Sequence, residues 1–179
     1  GGGNTAMDAA RCALRLQKAN GIKPDVKIIY RRRLTEMPAR RLEIMHAEEE
    51  GIEFKFLTQP KEFYSDNQGF VQGLSCLICE LKEADSSGRR KPFVLEGSDF
   101  SIPCDLAIIA VGLKANQVLS SVTPGLKTDK YKDIVVNPDT LETSIKNIFA
   151  GGDIVGGEGT VIEAMGMAKK AASGMLQNS

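Results

Sequence analysis

Apolar positions recur at helical spacing over residues 4–20, in the stretch NTAMDAARCALRLQKAN. The spacing predicts an amphipathic helix with Asn4 or Thr5 as its N-cap and Asp8 in its first turn. The side chains predicted to share its apolar face are Ala6, Ala9, Ala10, Ala13, Leu14 and Leu16.

Residues 25–60 repeat the alternation of strand and helix. A β-rich run, DVKIIYRRR, is followed by a helical pattern, PARRLEIMHAEEEG, and by another β-rich run, IEFKFLTQP. Pro38 is expected in the first turn of this second helix and Gly51 at its C-terminal end. Helices that alternate with strands predict a parallel sheet and an α/β fold.

The pattern changes after Lys61. From there to about Ser101, short strands are separated by SDNQG and EADSSGRRKP, two strong turn signals, which predict a β-meander. Residues 105–112, DLAIIAVG, form a continuous apolar run of the kind that is buried on both faces of a parallel sheet. A strand buried in a sheet is therefore predicted there.

The opening residues, GGGNTA, fit the pattern G-x-G-x-x-A at Gly1, Gly3 and Ala6. Glycines in this pattern form the turn in which a dinucleotide's pyrophosphate lies against a helix N-terminus. That turn normally follows a strand, and no residue precedes Gly1 in this sequence. Either the match is accidental, or the chain is the later part of a longer protein.

A second glycine-rich constellation lies in residues 143–172, TSIKNIFAGGDIVGGEGTVIEAMGMAKKAA. A short strand, NIFA, is predicted to lead into Gly151, Gly152 and Asp153, and a helix of small residues to begin near Thr160. Glycines allow close approach to the backbone, the aspartate can accept hydrogen bonds from hydroxyls, and the helix start carries partial positive charge. Such a site suits a polyhydroxyl chain joined to a group that becomes negative.

Composition excludes several classes of partner. The 179-residue chain is 42% hydrophobic and 26% charged, with 23 basic and 23 acidic residues, so no net charge attracts nucleic acid or an anionic membrane. No apolar stretch approaches the length of a membrane span, and no leader pattern is present, so a cytoplasmic location is expected.

Cysteine and histidine provide no strong metal signal. The four cysteines are expected to be reduced, as in other intracellular chains of this size. Cys76 and Cys79 lie three residues apart in an alternating strand, so buried cysteines are favoured over a zinc or redox site. His46 is expected on an exposed helix. No metal site is predicted.

The motifs taken together resemble a known family. GGGNTAMDAAR, YRR followed by EMPARR, HAEEEGI, DSSGRRKP, AVG and TSIKNIFAGGD occur in this order in the small-subunit family of glutamate synthase. Members of that family are NADPH-oxidising flavoproteins that contain FAD. Its relatives include the NADPH subunit of ferredoxin-dependent transhydrogenase and the pyridine-nucleotide part of dihydropyrimidine dehydrogenase.

The resemblance implies the fold and the domain organisation. In that family a Rossmann-like nicotinamide domain is inserted into an FAD-binding domain, behind an iron-sulfur segment. The chain would then comprise an NADPH-binding domain with a β-meander, residues 1–113, and the C-terminal portion of an FAD-binding domain, residues 114–179. It would lack the first strand, the first FAD-binding half and the iron-sulfur segment. The isolated chain is expected to bind little FAD and to show little or no diaphorase activity.

The resemblance also implies the roles of individual residues. The pyrophosphate of NADPH would lie on the opening turn, and Arg31 and Arg32 would bind its 2′-phosphate. The segment after the strand carries arginines where an NAD site has a carboxylate, which favours NADP; the alternative is a solvated basic turn. The residues implied to bind cofactors are Gly1, Gly2, Gly3, Asn4, Thr5, Ala6, Arg31, Arg32, Gly112, Gly152, Asp153, Gly159, Thr160 and Val161.

No side chain is implied to act as an acid or base, because hydride transfer from NADPH to FAD depends on positioning and electrostatics. Electrons would continue to iron-sulfur clusters and a large oxidoreductase partner subunit or fused domain. Two alternatives stay open: a subunit of an electron-bifurcating transhydrogenase, and a nucleotide-binding module without turnover.

Overall fold

The computed structural model describes residues 1–84, 90–156 and 159–177, and the chain forms two compact units, residues 1–111 and 112–179. Half of the predicted EADSSGRRKP turn, and two residues of the predicted glycine-rich loop, lie outside the described residues. The elements of the first unit are α1 (Asn4–Ala19), β1 (Lys27–Ile29), a one-turn 3-10 helix (Leu34–Glu36), α2 (Arg41–Glu50), β2 (Glu53–Lys55), β3 (Thr58–Ser65), β4 (Val71–Ala84), β5 (Arg90–Val94) and β6 (Phe100–Pro103).

The first two strands pair in parallel, as the alternation of helix and strand predicts. Lys27 faces Glu53 and Ile29 faces Lys55 across the pair. Apolar side chains from α1, α2, β1 and the flanking turns pack together in one hydrophobic core. This packing removes the apolar surface of these side chains from water. The buried members are Ala6, Met7, Ala10, Leu14, Ile28, Ala39, Ile44, Ala47 and Ile52.

The start of α1 differs from the prediction. The N-cap is Gly3, in extended conformation, and Asn4 is the first helical residue. The Asn4 side chain is used elsewhere, because its Oδ1 accepts a hydrogen bond from the backbone N–H of Arg40 at 2.9 Å. Leu16 is also 64% exposed, since two residues advance a helix by about 200° and place it opposite Leu14.

Helix α2 begins three residues later than Pro38. Arg40 is the N-cap of this helix and has an extended backbone, with ψ 137°, and the N–H groups of Ala39 and Arg40 donate to the Gly2 carbonyl and the Asn4 side chain respectively. The predicted C-cap is confirmed: Gly51 has φ 99°, a left-handed conformation that glycine adopts without strain. Ion pairs of Glu50 with Arg15 and Arg11 also join α1 and α2. Hydrogen bonds from Arg15, reinforced by those from Arg11, outweigh the effect of desolvation and lower the pKa of Glu50 to about 2.

The predicted β-meander is confirmed. Strand β4 pairs antiparallel with β3, β5 and β6. The SDNQG turn forms as expected, with the Asp66 carboxylate accepting from the N–H groups of Gln68 and Phe70. Cys76 and Cys79 on β4 are both buried and free, as predicted, and the described part of the chain contains no cluster of potential metal ligands.

Residues 105–111 correct the prediction of a buried strand. They form no strand, and Leu106, Ile109 and Val111 are each more than 70% exposed. A parallel strand needs neighbours on its edges and layers on its faces, and no described strand of this unit pairs with these residues. The run instead passes the opening turn, where the Ala110 carbonyl approaches Gly1.

The second unit contains α3 (Gln117–Val122), α4 (Asp153–Gly156) and α5 (Val161–Gln177). The helix predicted near Thr160 is confirmed as α5. The NIFA strand is wrong: Phe149 forms only an isolated bridge with Glu142. Asn147 has φ 63° and its N–H donates to the Glu142 side chain, so a tight turn replaces the strand's start. None of the described helices is both long and apolar enough to cross a membrane.

Candidate functional site

The opening turn ends at an exposed helix start. The Gly3 carbonyl accepts from Ala6 and Met7, at 3.0 and 3.3 Å, which begins the hydrogen bonding of α1. The amides of Asn4 and Thr5 precede these bonds, so they have no acceptor within the helix. Such amides, together with the helix dipole, favour a bound anion. Ala6 differs, since its side chain is buried in the core and serves helix packing.

Each glycine of the turn has a distinct steric surrounding. A Cβ on Gly1 would lie 1.7 Å from the Ala110 carbonyl oxygen, and a Cβ on Gly2 would lie 2.6 Å from Cε2 of Tyr30. A Cβ on Gly3 would meet no atom within 4 Å. Packing of the protein therefore requires the first two glycines, whereas Gly3 leaves open space in front of the helix.

The arginine segment after β1, residues 31–33, is attached to this turn on both sides. Before it, the buried Tyr30 ring lies against Gly2 and its hydroxyl donates to the Glu36 carbonyl at 2.7 Å. After it, the Ala39 N–H donates to the Gly2 carbonyl at 3.0 Å. The fold thus brings the arginines and the glycine turn together, although they are far apart in sequence.

The three arginines are not equivalent. Arg31 and Arg33 are exposed, and Arg32 is half-buried. The Nε of Arg32 donates to the backbone carbonyl of Arg90 at 2.7 Å, so only part of its guanidinium is available to another acceptor. The exposed Arg31 lies directly after Tyr30, the residue that contacts Gly2 of the turn.

The glycine-rich residues of the second unit surround a small cavity of about 150 Å³. Four predicted residues line it: Gly152, Asp153, Gly159 and Thr160. Val161 and Gly112 do not line it; Gly112 lies at the start of the unit, in left-handed conformation with φ 92°. The exposed Asp153 carboxylate accepts from the Gly159 N–H at 3.3 Å.

The start of α5 is capped by its own residues. Glu163 Oε2 accepts from the Thr160 amide at 2.6 Å and from its hydroxyl at 2.8 Å, while the Glu163 N–H donates back to that hydroxyl at 3.3 Å. The T-x-x-E spacing is the signature of such a capping box, which the sequence reasoning missed. It also missed Met167, whose sulfur accepts from the Gly152 N–H at 3.0 Å; no sequence signal indicates this contact.

Comparison with known proteins places these features in a family. The family described as "Pyridine nucleotide-disulphide oxidoreductase" matches residues 1–169. The chain belongs to this family. Two solved structures of similar fold confirm the predicted Rossmann-like α/β fold. One is Mycobacterium tuberculosis FprA in complex with NADPH, with TM-score 0.75 and 20% identity over 99% of this chain and 51% of FprA. The other is T. acidophilum thioredoxin reductase, with TM-score 0.72 and 22% identity over 99% of this chain and 50% of the reductase.

Curated relatives confirm the predicted resemblance to the glutamate synthase small subunit. The Azospirillum brasilense glutamate synthase (NADPH) small chain is 38% identical, over 98% of this chain and 35% of that protein. The beta subunit of NADP(+)-dependent formate dehydrogenase from Moorella thermoacetica is 42% identical, over 96% of this chain and 23% of that subunit. The chain therefore spans about a third of the small chain and less than a quarter of the beta subunit.

Proposed function

We propose that this chain carries the NADPH-binding domain, residues 1–113, and the C-terminal portion of the FAD-binding domain, residues 114–179, of an NADPH-oxidising flavoprotein. The observation that carries the proposal is the attachment of the arginine segment to the glycine turn through Tyr30 and Ala39. The adenosine part of NADPH carries the pyrophosphate at one end and the 2′-phosphate on its ribose. The glycine turn would bind the pyrophosphate, and the arginines beside it would bind the 2′-phosphate.

The residues of the opening turn fit this nucleotide. Open space at Gly3 allows phosphate to approach the backbone, and the amides of Asn4 and Thr5 supply donors. The exposed Arg31, with the outer nitrogens of Arg32, would hold the 2′-phosphate. A charge-assisted hydrogen bond of this kind contributes about 1.5 to 3 kcal/mol, enough to favour NADPH over NADH about tenfold or more.

The residues around the second cavity fit part of a flavin. Asp153 would accept hydrogen bonds from ribityl or phosphate-linked hydroxyls, and the start of α5 would face a group that gains negative charge. Bound flavin would supply the ring that accepts hydride. The chain's contribution is to hold and orient, and no side chain of the described site acts as an acid or base in this proposal. Because Glu163 occupies the Thr160 amide, Val161 offers the first amide beyond the cap.

A larger electron-transfer assembly is part of the proposal. Similar proteins are named as a small chain or a beta subunit, which supports a partner subunit or fused domain that receives the electrons. Iron-sulfur clusters in such a partner would be the next acceptors.

Arg31→Ala in the full chain tests the nucleotide site. We expect NADPH to bind about tenfold more weakly and NADH to bind as before, because only NADPH carries the 2′-phosphate. Isothermal titration calorimetry measures both dissociation constants.

Arg15→Ala is the matched control. Arg15 lies on the same unit but about 18 Å along α1 from Gly3, where it pairs with Glu50. This variant should retain the parent's preference for NADPH. Equal weakening of both nucleotides by Arg31→Ala, or no weakening of either, would contradict the proposed site.

A further inference from the structure

A buried carboxylate lies directly behind the arginine segment. Glu36 ends the one-turn 3-10 helix that follows the arginines, and only 8% of its side chain is exposed. Its Oε2 accepts from the Arg33 N–H and from the Thr35 hydroxyl, both at 3.1 Å. Its Oε1 accepts from the Arg90 guanidinium at 2.5 Å. The Arg33 N–H belongs to the arginine segment, the Thr35 hydroxyl belongs to the 3-10 helix that follows it, and the Arg90 guanidinium belongs to strand β5.

Arg90 of β5 also contacts the arginine segment at a second point. Arg90 donates to Glu36 through its side chain and accepts from Arg32 Nε through its backbone carbonyl, at 2.7 Å. The Arg32 carbonyl in turn accepts from the Leu57 N–H at 3.1 Å. The arginine segment is therefore clasped between the meander and the glycine turn, by contacts far apart in sequence.

This ion pair is half-buried, with Arg90 38% exposed, and it is a poor source of net stability because the desolvation of the Glu36 carboxylate offsets much of the attraction. Its more consistent effect is to define geometry, since its charges cannot move without losing their partners. The hydrogen bonds from Arg90, Thr35 and Arg33 outweigh the effect of burial and lower the pKa of Glu36, so the carboxylate is ionised at neutral pH. The clasp therefore exists in its charged form under physiological conditions.

We propose that Glu36 and Arg90 are positioning residues that set the selectivity for NADPH over NADH, by fixing the arginine segment at the mouth of the glycine turn. This inference rests on the proposed nucleotide site and adds two residues that do not touch the nucleotide. Substitution of Glu36 or Arg90 removes none of the side chains proposed to bind phosphate. It does free the backbone that orients those side chains.

The test uses the full chain with Glu36→Gln and, separately, Arg90→Lys. Glu36→Gln keeps the side chain's shape and removes its charge, whereas Arg90→Lys keeps a charge and the backbone carbonyl but removes the planar fork. We expect NADPH binding to weaken about tenfold in Glu36→Gln and by a smaller factor in Arg90→Lys, with NADH binding unchanged, since only the 2′-phosphate contacts are misaligned. Calorimetry gives both dissociation constants, and circular dichroism melting confirms that each variant folds.

Asp99→Asn is the matched control. It breaks an exposed ion pair, Lys61 with Asp99 at 2.6 Å, on the same meander but without contact to the arginine segment, and should leave both affinities unchanged. The inference is overturned if folded Glu36→Gln and Arg90→Lys keep the parent's selectivity, or if they weaken NADPH and NADH equally. The proposed nucleotide site itself is contradicted by a different result, namely that Arg31→Ala leaves the preference for NADPH over NADH unchanged.

Discussion

Gly2→Ala is expected to lower the free energy of unfolding by about 1 to 3 kcal/mol and to weaken NADPH binding at least tenfold. The new Cβ would lie 2.6 and 2.8 Å from two carbons of the Tyr30 ring. That ring cannot turn aside cheaply, because it is buried and its hydroxyl is bonded to the Glu36 carbonyl. Displacing Tyr30 also displaces the arginines that follow it. Chemical denaturation and calorimetry measure the two effects.

Gly3→Ala tests whether the glycine turn is needed for nucleotide binding separately from its role in protein packing. A Cβ at this position meets no protein atom within 4 Å, and the residue has an extended backbone with φ −89° that alanine adopts readily. Stability should change by less than about 1 kcal/mol, while NADPH binding weakens because the methyl group enters the space needed by the pyrophosphate. A Gly3→Ala chain as unstable as Gly2→Ala, or one that binds NADPH with the parent's affinity, would disagree with this account of the turn.

Leu14→Ala should destabilise the first unit by about 2.5 to 5 kcal/mol, since it opens a cavity in a packed core. Leu14 is 1% exposed and belongs to the cluster that packs α1 against α2 and β1. A loss of this size is a large part of the stability of an ordinary domain. Urea denaturation followed by circular dichroism gives the value.

Leu16→Ala on the same helix provides the comparison. This leucine is 64% exposed, so its truncation should cost less than about 0.5 kcal/mol. If the two substitutions had similar effects, the orientation of α1 described above would be wrong.

Local patterns predicted most of the first unit. The helical spacing around Ala6 and Leu14, the left-handed Gly51 at the end of α2, and the turn at Asp66 each depend on residues close in sequence. The parallel pairing of β1 with β2 followed from the order of the elements. Two glycine-rich helix starts were also recognisable, since each requires only a short motif.

Non-local contacts explain what the sequence could not predict. The run at 105–111 is apolar in composition, but composition does not say whether another strand pairs with it. Asn4 is a favourable N-cap residue by type, yet its side chain binds the start of α2 instead. The clasp between Glu36 and Arg90 joins residues 54 positions apart, and neither of the motifs in which they lie, EMPARR and DSSGRRKP, indicates that the two side chains meet. The burial of Glu36 could not be predicted from the local sequence, because it depends on where the meander lies.

A crystal structure of the full chain with NADP+ tests the central claim most directly. The account predicts that the pyrophosphate lies on the amides of Asn4 and Thr5, in the space in front of Gly3. It predicts the 2′-phosphate within about 3 Å of a guanidinium nitrogen of Arg31 or Arg32. A nucleotide whose phosphates bind away from this turn, with both arginines left in solvent, would contradict it.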